Sequence, residues 1–321
     1  MKMAILGAGA IAQKMATTIR EMPEITSYAI AARELVRAQA FADEFGFEKA
    51  YGSYLEMVED PEVQLVYVAV PHSFHCDCVK LCLEHGKNVL CEKAFTVNAK
   101  QAKELLDMSE SKNLLLAEAI WPRYLPMRQM ILDEMASGSI GKISSMSANL
   151  GYSMETKERI VKPELAGGSL LDLGVYMVNC VSAFFGDDYD NIISTAVMRH
   201  QVDMQNAMVM TYPDGRMATV YSTAIAATDR EMSINGSEGY IKVQNTNNYE
   251  SYSVYDVDYN LIKTVEAPAQ ITGFEYEVMA CKNAIDAGSY ECAEMPHSEI
   301  LLMMETMDKL RADWNFKYPG E

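Results

Sequence analysis

The chain has 321 residues, 49% of them hydrophobic and 22% charged, which is enough for two ordinary cores and excludes a disordered or fibrous protein. Its formal net charge of −18 repels phosphate backbones and anionic lipid, and no concentrated basic patch offsets it, so neither nucleic acid nor a membrane is an expected partner. Seven scattered cysteines without paired CxxC units, and an N-terminus lacking a signal-peptide pattern, predict reduced thiols in a cytoplasmic protein without disulfides or a membrane span.

From the N-terminus, short apolar runs at residues 3–6, 27–31, 65–70, 88–91 and 114–117 predict strands buried on both faces. Between them, residues 35–45, 75–85 and 98–111 carry apolar positions at three- and four-residue spacing and predict helices, with Gly46 and Gly86 where two of them should stop. This alternation builds a parallel sheet through right-handed crossovers. After Trp121 the alternation ends. A helix over 127–135 stopping near Gly138, a hairpin of 209–212 and 217–221 around Pro213-Asp214-Gly215, and strands over 240–243 and 252–257 follow, closed by helices over 273–287 and 298–313. The expected class is α/β: a Rossmann-type doubly wound parallel sheet in residues 1–120, then an α+β domain with a mostly antiparallel sheet in residues 121–321.

Gly7-Ala8-Gly9-Ala10-Ile11-Ala12 follows the first strand directly and opens a helix, the context in which a glycine pattern points to a dinucleotide. Gly7 permits the tight turn, Gly9 lets backbone N–H groups near a pyrophosphate, and Ala12 keeps helix and strand close. Ala10 and Ile11 complete the helix N-terminus, whose dipole and amides hold two phosphates in an acidic protein. An unrelated glycine turn is the rival reading. At the end of the second strand, where an NAD site places Asp or Glu, stands Ala31-Ala32-Arg33. A guanidinium there suits a 2′-phosphate, so the expected cofactor is NADP. NAD stays possible if Glu34 serves the ribose or Arg33 is only a solvated charge.

Ligands of open parallel sheets bind beyond the carboxyl ends of the strands. Val70-Pro71-His72-Ser73-Phe74-His75 leaves one strand there and Cys91-Glu92-Lys93-Ala94-Phe95 the next, which makes Val70, Pro71, His72, His75, Glu92 and Lys93 candidate cofactor neighbours. With the run Gly167-Gly168-Ser169-Leu170-Leu171-Asp172-Leu173-Gly174-Val175-Tyr176, these segments closely resemble the glucose-fructose oxidoreductase, inositol dehydrogenase and rhizopine catabolism (Gfo/Idh/MocA) family, whose signature pairs Glu-Lys-Pro with a later Gly-Gly, Asp, Gly and His or Tyr. The tyrosine, together with Ala119-Ile120-Trp121-Pro122-Arg123-Tyr124-Leu125-Pro126, is most similar to the branch of dihydrodiol and NADP-linked xylose dehydrogenases.

The resemblance implies an open-faced second sheet, a homodimer or larger homo-oligomer, and a sugar, polyol or diol substrate. It also implies that Lys93 and Tyr176 are catalytic and that Trp121 and Arg123 lie near the cofactor. One departure is plain: Ala94 stands where the family has proline, so a cis bond there is not assumed. Relatives that retain their nicotinamide as glycosidases, or only sense sugars, are the alternative class, against which intact Lys93 and Tyr176 favour a dehydrogenase.

The chemistry agrees with these roles. Oxidising an alcohol needs a hydride acceptor and a group that removes the hydroxyl proton. A tyrosine, with an ordinary pKa of about 10, becomes such a group when an ammonium such as Lys93 favours its anion. Asp172, four residues before Tyr176, shares its face on a helix and is placed to bind a substrate hydroxyl. The plainer readings are a capping box of Ser169 and Asp172, a core tyrosine at 176 and a strand-end charge at 93. Of His72, His75, Cys76, Cys78, Cys82 and His85, Cys78 and Cys82 share a helix face while Cys76 points elsewhere, and no second ligand pair is evident, so no metal is expected, and His75 is read as shaping its helix start.

Overall fold

Val, Ile and Leu runs too short for helices become the strands of a parallel sheet in the computed structural model, which describes residues 1–321. The chain divides into two units, Met1–Ile120 with Gln270–Glu305, and Trp121–Ala269 with Thr306–Glu321. In the first, β1 (Lys2–Leu6), α1 (Ala10–Arg20), β2 (Thr26–Ala31), α2 (Leu35–Phe45), β3 (Lys49–Tyr51), α3 (Tyr54–Glu59), β4 (Leu65–Val68), α4 (His75–Glu84), β5 (Asn88–Glu92), α5 (Ala99–Lys112) and β6 (Leu116–Ala119) alternate as the apolar spacing requires. The sheet order is β3-β2-β1-β4-β5-β6 with every pair parallel. The order reverses between β1 and β4, and a crevice opens beyond their carboxyl ends because the helices that follow leave on opposite faces. Met3, Ala4, Ile5 and Leu6 of β1 are fully buried at the centre of this sheet.

Three differences from the sequence reading have physical causes. Lys49-Ala50-Tyr51 is too short and too exposed to show an apolar run, yet it pairs with β2 as the edge strand. Strand β4 ends at Val68, two residues before Val70, because the chain must turn out of the sheet there. Residues 270–305, expected in the second domain, belong to the first unit. Their chain packs back on the Rossmann sheet through Thr18 Oγ1 with Thr272 Oγ1 at 2.6 Å, Leu116 N–H to Tyr290 O at 3.0 Å and His297 Nε2 to Leu116 O at 2.9 Å. Such hydrogen bonds between distant segments leave no periodic trace in a sequence.

The second unit begins with α6 (Pro126–Ala136), β7 (Ile143–Gly151) and the short helix α7 (Glu158–Val161). A π-helical turn (Leu170–Gly174) runs into α8 (Val175–Phe185), and β8 (Asn191–Arg199), β9 (Val202–Thr211), β10 (Met217–Thr223), β11 (Met232–Gly236), β12 (Gly239–Gln244), β13 (Ser251–Asp256) and β14 (Leu261–Glu266) follow. Strands β9 and β10 form the expected hairpin. The eight-stranded order is β14-β13-β12-β11-β7-β10-β9-β8, antiparallel except where β10 meets β7. Strand residues alternate between buried and outward positions, so Met204, Met208, Met210, Ala218 and Val220 form one face, on which α8 packs. Helices α9 (Glu275–Asp286) and α10 (His297–Asp313) close the chain.

Contrary to the sequence expectation, one stretch is long and apolar enough to cross a membrane by length and composition. Pro163–Phe185 has a window of mean hydropathy 1.4, but 89% of that window is buried in the fold, as befits a core helix.

Candidate functional site

In the first unit the glycine turn forms as its residues dictate. Gly7 adopts φ +106°, donates its N–H to Ala31 O at 2.9 Å, and approaches β4 so closely that a Cβ would sit 2.4 Å from Ala69 O. Only glycine meets both demands. Gly9 is the N-cap of α1; no side chain caps the helix, and a Cβ at Gly9 would meet nothing within 4 Å. Space is thus open beside Gly9 at the positive end of an 11-residue helix, where Ala10 is exposed and Ile11 half-buried, with Ala12 fully buried behind them. The residues present fit a diphosphate. Arg33, exposed, stands two residues past the end of β2, and Glu34 is the N-cap of α2 without a side-chain cap bond. Burial pushes the Tyr54 phenol up, and the positive charges of Arg33 and Arg37 partly offset it.

The two strand-end segments are tied to each other by one side chain. His75 is fully buried, with Nδ1 2.9 Å from Ala94 O and Nε2 2.9 Å from Val70 O, so it bridges the segment after β4 to the segment after β5. Burial pulls the His75 imidazole below its ordinary pKa, and a neutral ring donates to only one of these carbonyls at a time. The ring thus ties the two loops together. His72 opens the 3₁₀ turn His72–Phe74 and meets His75 edge to face at 5.6 Å, while Pro71 is exposed and Val70 half-buried. Glu92 is buried and accepts from the Tyr67 hydroxyl. Lys93 is half-buried, and its peptide bond to Ala94 is cis although residue 94 is not proline. Glu118, which the sequence reading missed, holds this loop by accepting from Phe95 N–H at 3.0 Å. A buried carboxylate on β6 is the signal that marks it.

In the second unit, the Gly167-to-Tyr176 run is not an ordinary capped helix. Ser169 has helical φ and ψ of −76° and −34°, and its hydroxyl makes no cap bond; it meets Ser222 Oγ at 2.8 Å. Asp172 lies in the π turn, nearly buried, and pairs with Arg159 of α7 through Nη1 and Oδ1. Such π turns inside helices recur at functional sites. Arg159 was invisible to sequence reasoning because nothing in so short a helix distinguishes it. Tyr176, 9% exposed, follows in the first turn of α8. Trp121 and Arg123 form a buried 3₁₀ turn in this unit, where Arg123 Nη2 reaches Ser182 Oγ at 3.4 Å.

Comparison with known proteins decides the family. Residues 1–119 match the model of an oxidoreductase family with an NAD-binding Rossmann fold, and residues 127–242 match the Gfo/Idh/MocA C-terminal domain. The chain belongs to the Gfo/Idh/MocA family of NAD(P)-dependent oxidoreductases. Among its relatives are trans-1,2-dihydrobenzene-1,2-diol dehydrogenases, from Bos taurus at 30% identity over 100% of this chain and 99% of the relative, and from Xenopus laevis at 30% over 99% of both. A solved 3-ketoreductase from Actinomadura kijaniata, in complex with NADP and TDP-benzene, shares the fold at TM-score 0.87 and 24% identity over 97% of each chain. Levoglucosan dehydrogenase, solved with NADH and levoglucosan, does so at TM-score 0.84 and 18% identity, over 98% of this chain and 97% of that one.

Proposed function

We propose that this family member is a cytoplasmic, NADP-dependent dehydrogenase of a diol, polyol or sugar hydroxyl, or a reductase of the corresponding carbonyl. Tyr176 is its acid/base, Lys93 holds down the phenol's proton affinity, and Asp172 orients the substrate hydroxyl. The likeness to dihydrodiol dehydrogenases along the whole chain carries this reading. Gly7, Gly9, Ala10, Ile11 and Ala12 would hold the diphosphate, Arg33 the 2′-phosphate, and Val70, Pro71, His72, Glu92 and Lys93 the nicotinamide end. When bound, that ring supplies the hydride acceptor or donor. The chain's own part is to take the hydroxyl proton at Tyr176 Oη and to keep the substrate oxygen in reach of it. Arg159 orients Asp172 through their pair, so that Asp172 accepts from a substrate hydroxyl.

Following NADPH absorbance with trans-1,2-dihydrobenzene-1,2-diol, aldoses and inositols tests the reading. Turnover of a diol or sugar is expected; tight NADP binding without turnover across the panel would make the chain a sensor instead. For the cofactor, Arg33→Ala is expected to raise KM for NADP about 10- to 100-fold, the worth of hydrogen bonds to a charged group, and to leave KM for NAD unchanged. An NAD preference untouched by that substitution rejects the NADP assignment.

The outward face of the second sheet supports a homodimer. Ile193 and Val197 of β8 and Met217 and Tyr221 of β10 are exposed, and the strand register brings Val209 and Ala207 of β9 between them. Exposed apolar residues gathered on one sheet face favour an interface. Light scattering is expected to give twice the chain mass, falling to one chain mass in Ile193→Glu with Tyr221→Glu; a monomeric parent protein discards the proposal.

A further inference from the structure

Asp203, near the start of β9 and fully buried, makes contacts that the proposed chemistry does not use. Its Oδ2 accepts from Leu170 N–H at 2.8 Å and from Asn206 Nδ2 at 2.9 Å. Its Oδ1, which has no hydrogen-bond partner, lies where a Cβ on Gly168 would come within 2.4 Å. Gly168, at φ +110°, is thus the residue that lets the carboxyl reach the turn. A second connection runs beside the first. Ser222 Oγ donates to Asn206 Oδ1 at 3.0 Å, so the 2.8 Å contact between Ser169 and Ser222 has Ser169 as donor. Leu170, Ser169, Ser222, Asn206 and Asp203 therefore close a ring of hydrogen bonds around the entry to the π turn. Tyr318 fixes its near end by donating to Gly167 O at 2.7 Å.

The charge state follows from what faces the carboxyl. Both donors approach one oxygen, leaving the other as the natural seat of a proton. The cation whose charge acts on it, Arg311 of α10, gives its Nη1 and Nη2 to Glu321 and Asp308, and burial pushes the Tyr318 phenol well up, so that group stays neutral. The Asp203 carboxyl is itself pushed up to about 7 by burial, against the pull of the Asn206 and Leu170 donors.

We propose that Asp203 is a positioning residue for the reaction: as a neutral acid it holds the Leu170 N–H beside Gly168, fixes the pitch of the π turn, and so sets the direction of Asp172 and Tyr176, while its ionisation, which strands a buried charge with no donor at Oδ1, releases that turn. The inference rests on the roles given above to Asp172 and Tyr176. Because the folded state holds this proton to higher pH than the unfolded chain does, its stabilising contribution is complete below the ordinary carboxyl range and is lost as pH rises through about 7.

The test compares the parent protein with Asp203→Asn and Asp203→Ala. Turnover of trans-1,2-dihydrobenzene-1,2-diol with NADP is followed from about pH 5.5 to 9, beside hydrogen exchange of the Leu170 amide. In the parent, kcat is expected to carry an alkaline limb with a midpoint near that of Asp203. Asp203→Asn, which keeps the neutral shape and an acceptor for Leu170, should remove the limb and keep the amide protected. Asp203→Ala should lower kcat about tenfold or more and expose the amide, since small misplacements of reacting groups are costly. Should Asp203→Ala fail to fold, the alkaline limb in Asp203→Asn decides alone. A parent-like kcat, pH profile and amide exchange in Asp203→Ala, or an unchanged alkaline limb in Asp203→Asn, overturns the proposal. If Tyr176→Phe retains full turnover, the acid/base assignment falls, and Leu170 exchange still reports on Asp203 independently.

Discussion

Tyr176→Phe is expected to lower kcat by about 10²- to 10⁴-fold, the usual worth of a positioned general acid/base, while NADPH affinity changes less than about twofold. The phenyl ring keeps the shape of a side chain that is 9% exposed in the first turn of α8, so only the hydroxyl is lost. Removing a buried hydroxyl costs about 1 kcal/mol of stability, too little to unfold a domain of this size. Loss of proton transfer lowers kcat and kcat/KM together, whereas loss of substrate binding alone raises KM with kcat unchanged. A variant with parental kcat removes Tyr176 from the reaction, and a rise confined to KM makes it a binding residue. Lys93→Ala gives the companion measurement: if an ammonium favours the tyrosinate, its loss moves the acid limb of kcat/KM to higher pH.

The parallel sheet was legible because its strands are buried on both faces and need continuous apolar runs, as in Met3 to Leu6 and Leu65 to Val68. The open sheet of the second unit was only partly legible. Strand β7 reads Ile-Ser-Ser-Met-Ser-Ala-Asn-Leu-Gly, and its outward serines dilute the apolar signal that Met146, Ala148 and Leu150 supply on the buried side. Strand β14 is exposed along most of its length, so no burial pattern exists for it to display. At the candidate site, the places of Gly7 and Gly9 in the turn between β1 and α1, and of Lys93 just past β5, were readable because they adjoin strands of recognisable period. Arg159, Glu118 and Asp203 were not, since each acts through a partner 13 to 33 residues away in sequence. Ser169 and Asp172 illustrate a reading that local spacing favoured and tertiary contacts replaced: the serine turned to Ser222 and the carboxylate to Arg159.

Gly7→Ala should be the most damaging single-methyl change in the first unit, and comparison with Gly9→Ala separates what the fold needs from what the cofactor needs. At residue 7 the new Cβ falls 2.4 Å from Ala69 O and 3.3 Å from Val70 Cγ1, at φ +106°, so backbone must move and strain is added. Strained backbone conformations cost about 1 to 3 kcal/mol each, and the displaced β1–β4 crossing adds to that. Unfolding by urea is therefore expected to show a loss of about 2 to 4 kcal/mol, with NADPH affinity down by 100-fold or more because the turn no longer presents its amides. At residue 9 the same methyl meets no protein atom within 4 Å, and alanine is a poorer N-cap than glycine by about 1 kcal/mol. Gly9→Ala is thus expected to lose only about 1 kcal/mol in urea unfolding yet bind NADPH at least about tenfold more weakly, because the methyl occupies space meant for the diphosphate. Parental NADPH affinity in Gly9→Ala would show that the phosphates do not lie over the start of α1, and the cofactor assignment of residues 7 to 12 would go with it.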